Sequence, residues 1–176
     1  MLVHAPVTRH GDALRFHVAR HNRAAAYLDG ATALLCVSPL DGYVSSNWYV
    51  VPGDQVPTWN YVTIEVEGPL RRLDEAELIE QLDELARVHE PRVNPGAPWT
   101  RDKMNPARFQ AMLAGIHGYE LCPTAIRSTM KLSQNKPAAD RAGVVAGLHA
   151  AGNTAMAAAM EDIAAAMPKS PPTPIG

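Results

Sequence analysis

Hydrophobic and polar positions alternate most regularly in "NYVTIEVEGPLRRL", where Val62, Ile64 and Val66 interleave with Thr63, Glu65 and Glu67. Successive side chains of a strand point to opposite faces, so this run predicts a half-buried strand. Upstream, "LVHAPV" and "ALRFHVA" are β-rich runs on either side of the turn-like "TRHGD". "ATALLCVS" is a continuous apolar run that suits a strand buried on both faces, and "NRAAAYLDG" predicts a short helix with Asn22 as N-cap and Gly30 as terminator. "GYVSSNWYV" completes the β-rich part. Beyond residue 73 the period changes. Asp74 and Glu77 form a capping-box pattern, Leu78, Leu82 and Leu85 follow at helical spacing, and Asp83 faces Arg87 as an i,i+4 pair. This helix is expected to run to about His89. The proline-rich "EPRVNPGAPWTRDKMNP" then leads to a second short helix in "ARFQAMLAG" and a long β-run, "IHGYELCPTAIRSTMKL". From Ala138 onward the chain is alanine-rich and helical, interrupted at Gly152-Asn153, and "PKSPPTPIG" is expected to be a disordered tail.

About six strands, one inserted helix and helices at the end predict a small β-barrel with helical additions. No GxGxxG follows a strand and no GxxxxGK[ST] occurs, so neither common nucleotide-binding fold is signalled, and no internal repeat is visible. The length, 176 residues, fits one domain or one domain with a helical appendage. No apolar run is long enough to span a bilayer and no charged-then-apolar segment opens the chain, which predicts a cytoplasmic protein with no membrane partner. The two cysteines, Cys36 and Cys122, each lie in an apolar run with no CxxC pattern, so buried, reduced thiols are expected.

The net charge of −2 argues against direct DNA binding, which draws its affinity from neutralising phosphates. The one basic concentration, Arg9, Arg15, Arg20 and Arg23 with His10, His17 and His21 between them, is thin for DNA but adequate for a carboxylate or phosphate. Three stretches carry candidate chemistry. In "HVARHN", His17 and His21 are four apart, but a strand would point them apart, so a two-histidine metal site is not expected; a single inward histidine could ligate haem iron. "KLSQNK" holds two of the chain's four lysines, Lys131 and Lys136, around Ser133, Gln134 and Asn135. Such a set can hold an anion or a flavin edge, or simply be a polar loop. "NWYVVPGDQVPTWNY" gathers Trp48, Tyr49, Trp59 and Tyr61 around a turn, where they either fill a core corner or wall a flat ligand. No serine or cysteine triad and no carboxylate pair can be assembled.

Taken in order, "HVARHN", "SSNWY", "VPTWNY", "KLSQNK" and "DRAGVVAGL" resemble the PaiB family, described as FMN-binding negative transcriptional regulators. The resemblance covers about residues 2 to 167. It implies a split β-barrel (mainly β with helices, of the FMN-binding split-barrel type) with an inserted helix and C-terminal helices. The implied organisation is a cofactor-binding domain over 1–136, a helical segment over 137–167 and a tail over 168–176. Such barrels are homodimers with the cofactor at the subunit interface. The resemblance places Trp48, Tyr49, Trp59 and Tyr61 in the pocket wall, His17, Arg20 and Asn22 at the cofactor's anionic end or its iron, and Lys131, Ser133, Gln134 and Asn135 at its closure.

Three departures stand out. Family members carry some thirty residues before an H-x-P element, whereas this chain starts almost there, at "LVHAPV", so the first strands are expected to be missing. "SPLDGYVS" replaces the family's "GPHAYIS", and "NRAAAY" replaces "NPQW". The implied function is a small redox-type FMN protein. One alternative is a haem-dependent piperazate synthase, in which His17 would be the iron's axial ligand and an N–N bond would close N5-hydroxyornithine. A further alternative is a negative transcriptional regulator.

Overall fold

The computed structural model describes residues 1–50 and 53–166. The chain divides into two compact units. The first comprises Met1–Leu35 and Val66–Ile126, the second Cys36–Glu65 and the chain from Arg127 onward.

In the first unit, β1 (Val7–His10) and β2 (Ala13–Ala19) form an antiparallel hairpin around Gly11 and Asp12. Gly11 takes a φ of 59°, the left-handed conformation that a tight hairpin demands. The strand thus begins at Val7 and includes most of "TRHGD"; "LVHAP" precedes it without strand structure. β2 pairs along its length with β5 (Ile116–Leu121), from Leu14↔Leu121 to Ala19↔Ile116. β5 pairs in turn with the end of β4 (Thr58–Arg72). The start of β3 (Thr32–Val44) lies beside β4 as well, because Leu70 receives a hydrogen bond from Gly30 N–H and gives one to Ala31 C=O. Phe16 stacks on Tyr119 with ring centroids 5.8 Å apart, and Val18, Val66, Leu70 and Leu121 complete that core. Gly68 is required where β4 passes Cys122, since a Cβ there would collide with the Cys122 carbonyl.

Helix α1 is short, Ala25–Leu28. Its N-cap is Ala24, not the expected Asn22, whose side chain bonds the Ala24 N–H in the turn before the helix. Gly30, with φ 74°, follows as expected. Helix α2 (Glu75–Val93) opens with the full reciprocal capping box of Asp74 and Glu77. It runs past His89 to Val93; Pro91, in its last turn, removes one hydrogen bond and the helix ends soon after. Arg87 pairs with Glu84 and not with Asp83, because Asp83 is engaged by Arg101. Leu73, Leu78 and Leu113 form a second apolar cluster between α2 and α3 (Pro106–Leu113).

In the second unit the remainder of β3, the first half of β4 and β6 (Ala125–Lys131) meet α4 (Ala138–Ala150) and α5 (Thr154–Ala166). β3 and β6 each pair with β4. The long β-run of the sequence is two strands, because Cys122–Thr124 breaks it. Between the helices Gly152 N–H bonds His149 C=O and Asn153 N–H bonds Leu148 C=O. Gly152 is left-handed, φ 80°, so this is a Schellman stop at the Gly152-Asn153 interruption expected from the sequence. The core joins Val44, Tyr49, Leu132, Val144, Leu148, Met156 and Met160.

Two expectations are corrected. "ATALLCVS" is a strand, but Leu34, Cys36 and Val37 are exposed, so it is not buried on both faces. Both cysteines are free and exposed rather than buried: Cys36 is turned outward on β3, as alternate residues of a strand are, and Cys122 lies in the break between β5 and β6. The expected tail over 168–176 lies outside the described residues. A split-barrel-type sheet of six strands with an inserted helix and C-terminal helices is present as expected, but among the described residues the chain is mixed α and β rather than mainly β.

Candidate functional site

The residues singled out in the sequence fall into two groups, one in each unit. In the first unit, β2 holds His17 half-buried, with Nδ1 2.9 Å from the Gln81 side-chain oxygen. Gln81 lies fully buried on α2, and its Nε2 has no partner among the described residues. Asn22 is engaged in its own turn. Arg20, just past β2, is exposed; its N–H bonds Gly115 C=O and leaves the guanidinium free for other work.

Sequence reasoning missed the strongest electrostatic feature nearby. Glu120 on β5 is buried and accepts from Arg15 Nε at 2.7 Å and from Arg71 Nε at 2.8 Å. Arg15 also reaches Glu80 and Glu77, and Arg71 grips Glu77 with both terminal nitrogens. Hydrogen bonding from Arg71 holds the Glu77 carboxyl down at about 2, despite the opposing effect of burial. Burial pushes Glu120 up, but the bonds from Arg15 and Arg71 outweigh it and leave its carboxyl below the ordinary range. The pairing ties β2, β4 and β5 to α2. Only the three-residue spacing of Glu77 and Glu80 on α2 hinted at it.

The first unit also contains a cavity of about 730 Å³ between α2, the 98–104 loop and α3, lined by Trp99, Phe109 and paired arginines. None of the candidate binding residues named from the sequence lines it, although Asp83 and Arg87 of the helix pattern do.

In the second unit the aromatic loop divides. Trp48 lies in a 3₁₀ turn, Ser46–Trp48, packed onto Gly143 and Gly147 of α4; a Cβ at either glycine would collide with it. Tyr49 is core, 4% exposed, yet its hydroxyl has no partner among the described residues. Burial, and then the charge of Asp140, push its ionisation up. Lys136 Nζ stands 4.6 Å from the Tyr49 ring centroid and donates to Gln55 at 2.7 Å. Trp59, by contrast, is 49% exposed and meets Tyr43, 51% exposed, edge to face at 6.2 Å. Tyr61 is half-buried.

Alternation along β4 turns Thr58 and Asn60 to the side opposite Trp59 and Tyr61. There Lys131 Nζ donates to Thr58 Oγ1 at 2.8 Å, and fully buried Asn60 exchanges hydrogen bonds with Ser133. Ser133 has a φ of 60°, a left-handed conformation that a non-glycine residue rarely adopts. Gln134 closes the same turn, accepting from Leu132 N–H and donating to Met130 C=O, while Asn135 is exposed. Arg141 donates to Lys136 C=O through Nη1, and its buried Nε is unpartnered among the described residues. Asn60, Asp140 and Arg141 were missed from the sequence, although each sits in a motif that carries the resemblance.

Among the described residues no helix is long and apolar enough to cross a membrane, and no three His, Cys, Asp or Glu side chains gather as a metal site.

Comparison with known proteins identifies the family. Residues 1–124 match the family described as "Putative FMN-binding domain", and the chain belongs to that family. Protease synthase and sporulation protein PAI 2 of Bacillus subtilis is 33% identical over 103 residues, 58% of this chain and 48% of that protein. The chain therefore spans about half the length of that relative. Uncharacterized protein AN0679 of Emericella nidulans is 26% identical over 86% of this chain and 73% of that one. Two solved structures are distantly similar. The FAD and heme binding protein from Mycobacterium smegmatis has a TM-score of 0.48 at 17% identity, over 78% of this chain and 62% of that one. The flavocytochrome Anf3 from Azotobacter vinelandii has a TM-score of 0.46 at 18% identity, over 72% and 54%.

Proposed function

We propose that this chain is a homodimeric, redox-type FMN-binding protein whose cofactor lies against the second unit. The observation that carries the reading is the exposed Tyr43–Trp59 pair. Two large aromatic rings left in solvent on neighbouring strands suit a flat ring system or a second copy of the chain better than a monomer in water. Val37 on β3 and Met130 on β6, also exposed, add to the apolar character of the second unit's sheet. On the opposite face of β4, Lys131 and Lys136 with the unpartnered donors of Tyr49 and Arg141 offer charge and hydrogen bonds suited to the phosphate end of the cofactor. FMN, when bound, would supply reversible one- or two-electron transfer; the chain's own residues would bind and orient it and exclude water. The cofactor-binding region is taken to end at Lys136, with α4 and α5 as the helical segment that buries its back.

Titration of FMN against the protein, followed by quenching of flavin fluorescence, tests this directly. We expect saturable quenching, and about ten-fold weaker binding for Lys131→Ala from the lost charge-assisted contact. Unquenched FMN at micromolar protein would overturn the reading, and unaltered affinity in the variant would remove Lys131 from the site. Sedimentation should give a dimer.

A second reading has haem in place of FMN. It is favoured by His17, because a metal-bound imidazole is held by a hydrogen bond at its other nitrogen, and Gln81 provides one at Nδ1. Haemin should then give a Soret band that His17→Ala abolishes with the fold retained; a band that survives unchanged excludes His17. If it forms, N5-hydroxyornithine is the first substrate to assay for N–N closure. A regulatory role, if there is one, would run through the cofactor or a metabolite, since the net charge of −2 gives DNA little purchase.

A further inference from the structure

We infer that the first unit carries a separate, small oxyanion-binding pocket built by Arg20, Arg72 and His117. Arg20 follows β2, Arg72 ends β4 and His117 stands on β5 between them, opposite Val18. The three line a cavity of about 240 Å³ together with Gln110, Asp74 and Glu75. Drug-sized ligands need roughly 300–1,000 Å³, so this space takes a phosphate or a small carboxylate and not a flavin ring.

The state of the arginines marks the pocket out. Arg15, Arg71, Arg87 and Arg101 are each bonded to carboxylates. The guanidiniums of Arg20 and Arg72 have no hydrogen-bond or ion-pair partner among the described residues, although two acidic residues line the same cavity. Asp74 is committed to the helix cap through Glu77 N–H. Two unpaired guanidiniums beside one opening repel each other, and an oxyanion bridging them relieves that repulsion while accepting several charge-assisted bonds.

His117 fits as the third donor. Burial, then the charges of Arg72 and Arg20, which line the same cavity, disfavour its imidazolium. The Tyr119 hydroxyl donates to Ala25 C=O, so at its 3.5 Å contact with His117 Nδ1 the histidine is the donor. That assignment leaves Nε2 for a ligand. An anion between the arginines cancels their field and lets Nε2 carry a proton toward it.

The resemblance places Arg20 at a cofactor's anionic end, but none of the three residues belongs to the FMN site proposed in the second unit, so either can fail alone. The test is titration with inorganic phosphate and with succinate, followed by the ring resonances of His117, assigned with His117→Gln. Phosphate or succinate should shift those resonances saturably. Arg20→Gln and Arg72→Gln should each weaken binding about ten-fold or more, and Arg9→Gln should not. Unshifted His117 signals, or arginine variants that bind like the parent, would overturn the pocket. Repeating the titration with FMN present identifies the source: a lost phosphate response assigns the pocket to the phosphate end of FMN, and an intact response to an independent small anion.

Discussion

The two units stabilise their interiors by different means. The first uses paired charge: Glu120, buried on β5, is neutralised by Arg15 and Arg71, and those arginines carry the attachment on to Glu77 and Glu80 of α2. The second uses close apolar packing, with Trp48 laid on the glycines of α4 and Val44, Leu132, Val144 and Met156 fully buried around it. Buried polar atoms also fare differently. The carboxylate of Glu120 is satisfied from two sides, whereas the Tyr49 hydroxyl and Arg141 Nε of the second unit are left without partners among the described residues. A buried donor without a partner costs about 1–3 kcal/mol, a cost that the cofactor of the FMN reading would relieve beside Lys136. The first unit is not free of such atoms, since Gln81 Nε2 is also orphaned. There the orphan sits beside His17, the one residue of that unit to which a haem reading appeals.

The contrast can be broken first at Glu120. Glu120→Ala leaves Arg15 buried beside carboxylates that reach it only from α2, and should cost about 3–5 kcal/mol in urea unfolding, the usual penalty for one partner of a buried pair. A loss below about 1 kcal/mol would show that the network is ornamental. The corresponding test of the second unit is Gly143→Ala. In an exposed helix this change gains about 0.5–1 kcal/mol. Here the new methyl would strike the Trp48 carbonyl, and we expect a net loss of about 1–3 kcal/mol and a changed Trp48 emission. A stabilised variant would mean that the turn holding Trp48 yields easily.

The smallest effect sharpens the charge side. Glu77 has a lower carboxyl pKa folded, about 2, than unfolded, so the unfolded chain binds the proton first on acidification. Its contribution is present in full above the ordinary carboxylate range and is lost as pH falls toward about 2. Stability measured across that window should fall with decreasing pH, and Glu77→Gln, which can keep the capping box, should flatten the slope. An unchanged slope would place the acid sensitivity elsewhere, with Glu120 next to examine.

Much of the fold was legible in the sequence, because it is written in local patterns. The alternation of 61–67 gave β4, Asp74 and Glu77 gave the start of α2, and Gly152-Asn153 gave the stop between α4 and α5; each rests on backbone geometry that neighbouring residues dictate. The motifs gave the family. What a run of residues could not give was which side of a strand meets the core. "ATALLCVS" and the exposed cysteines show this: apolar residues are placed inside only where another element arrives to cover them, and that is settled by the chain's return. The aromatic loop was undecided for the same reason. Trp48 and Tyr49 became core because α4, ninety residues on, packs over them, while Trp59 faced the other way and stayed in solvent. The arginines made the point for charge. Arg15 and Arg20 look alike in sequence, but β5 and α2 bring carboxylates into hydrogen-bonding contact with Arg15, while those near Arg20 do not bond it. Local sequence determined the elements, and only the long-range pairing of strands decided which side chains are spent on stability and which remain free to bind.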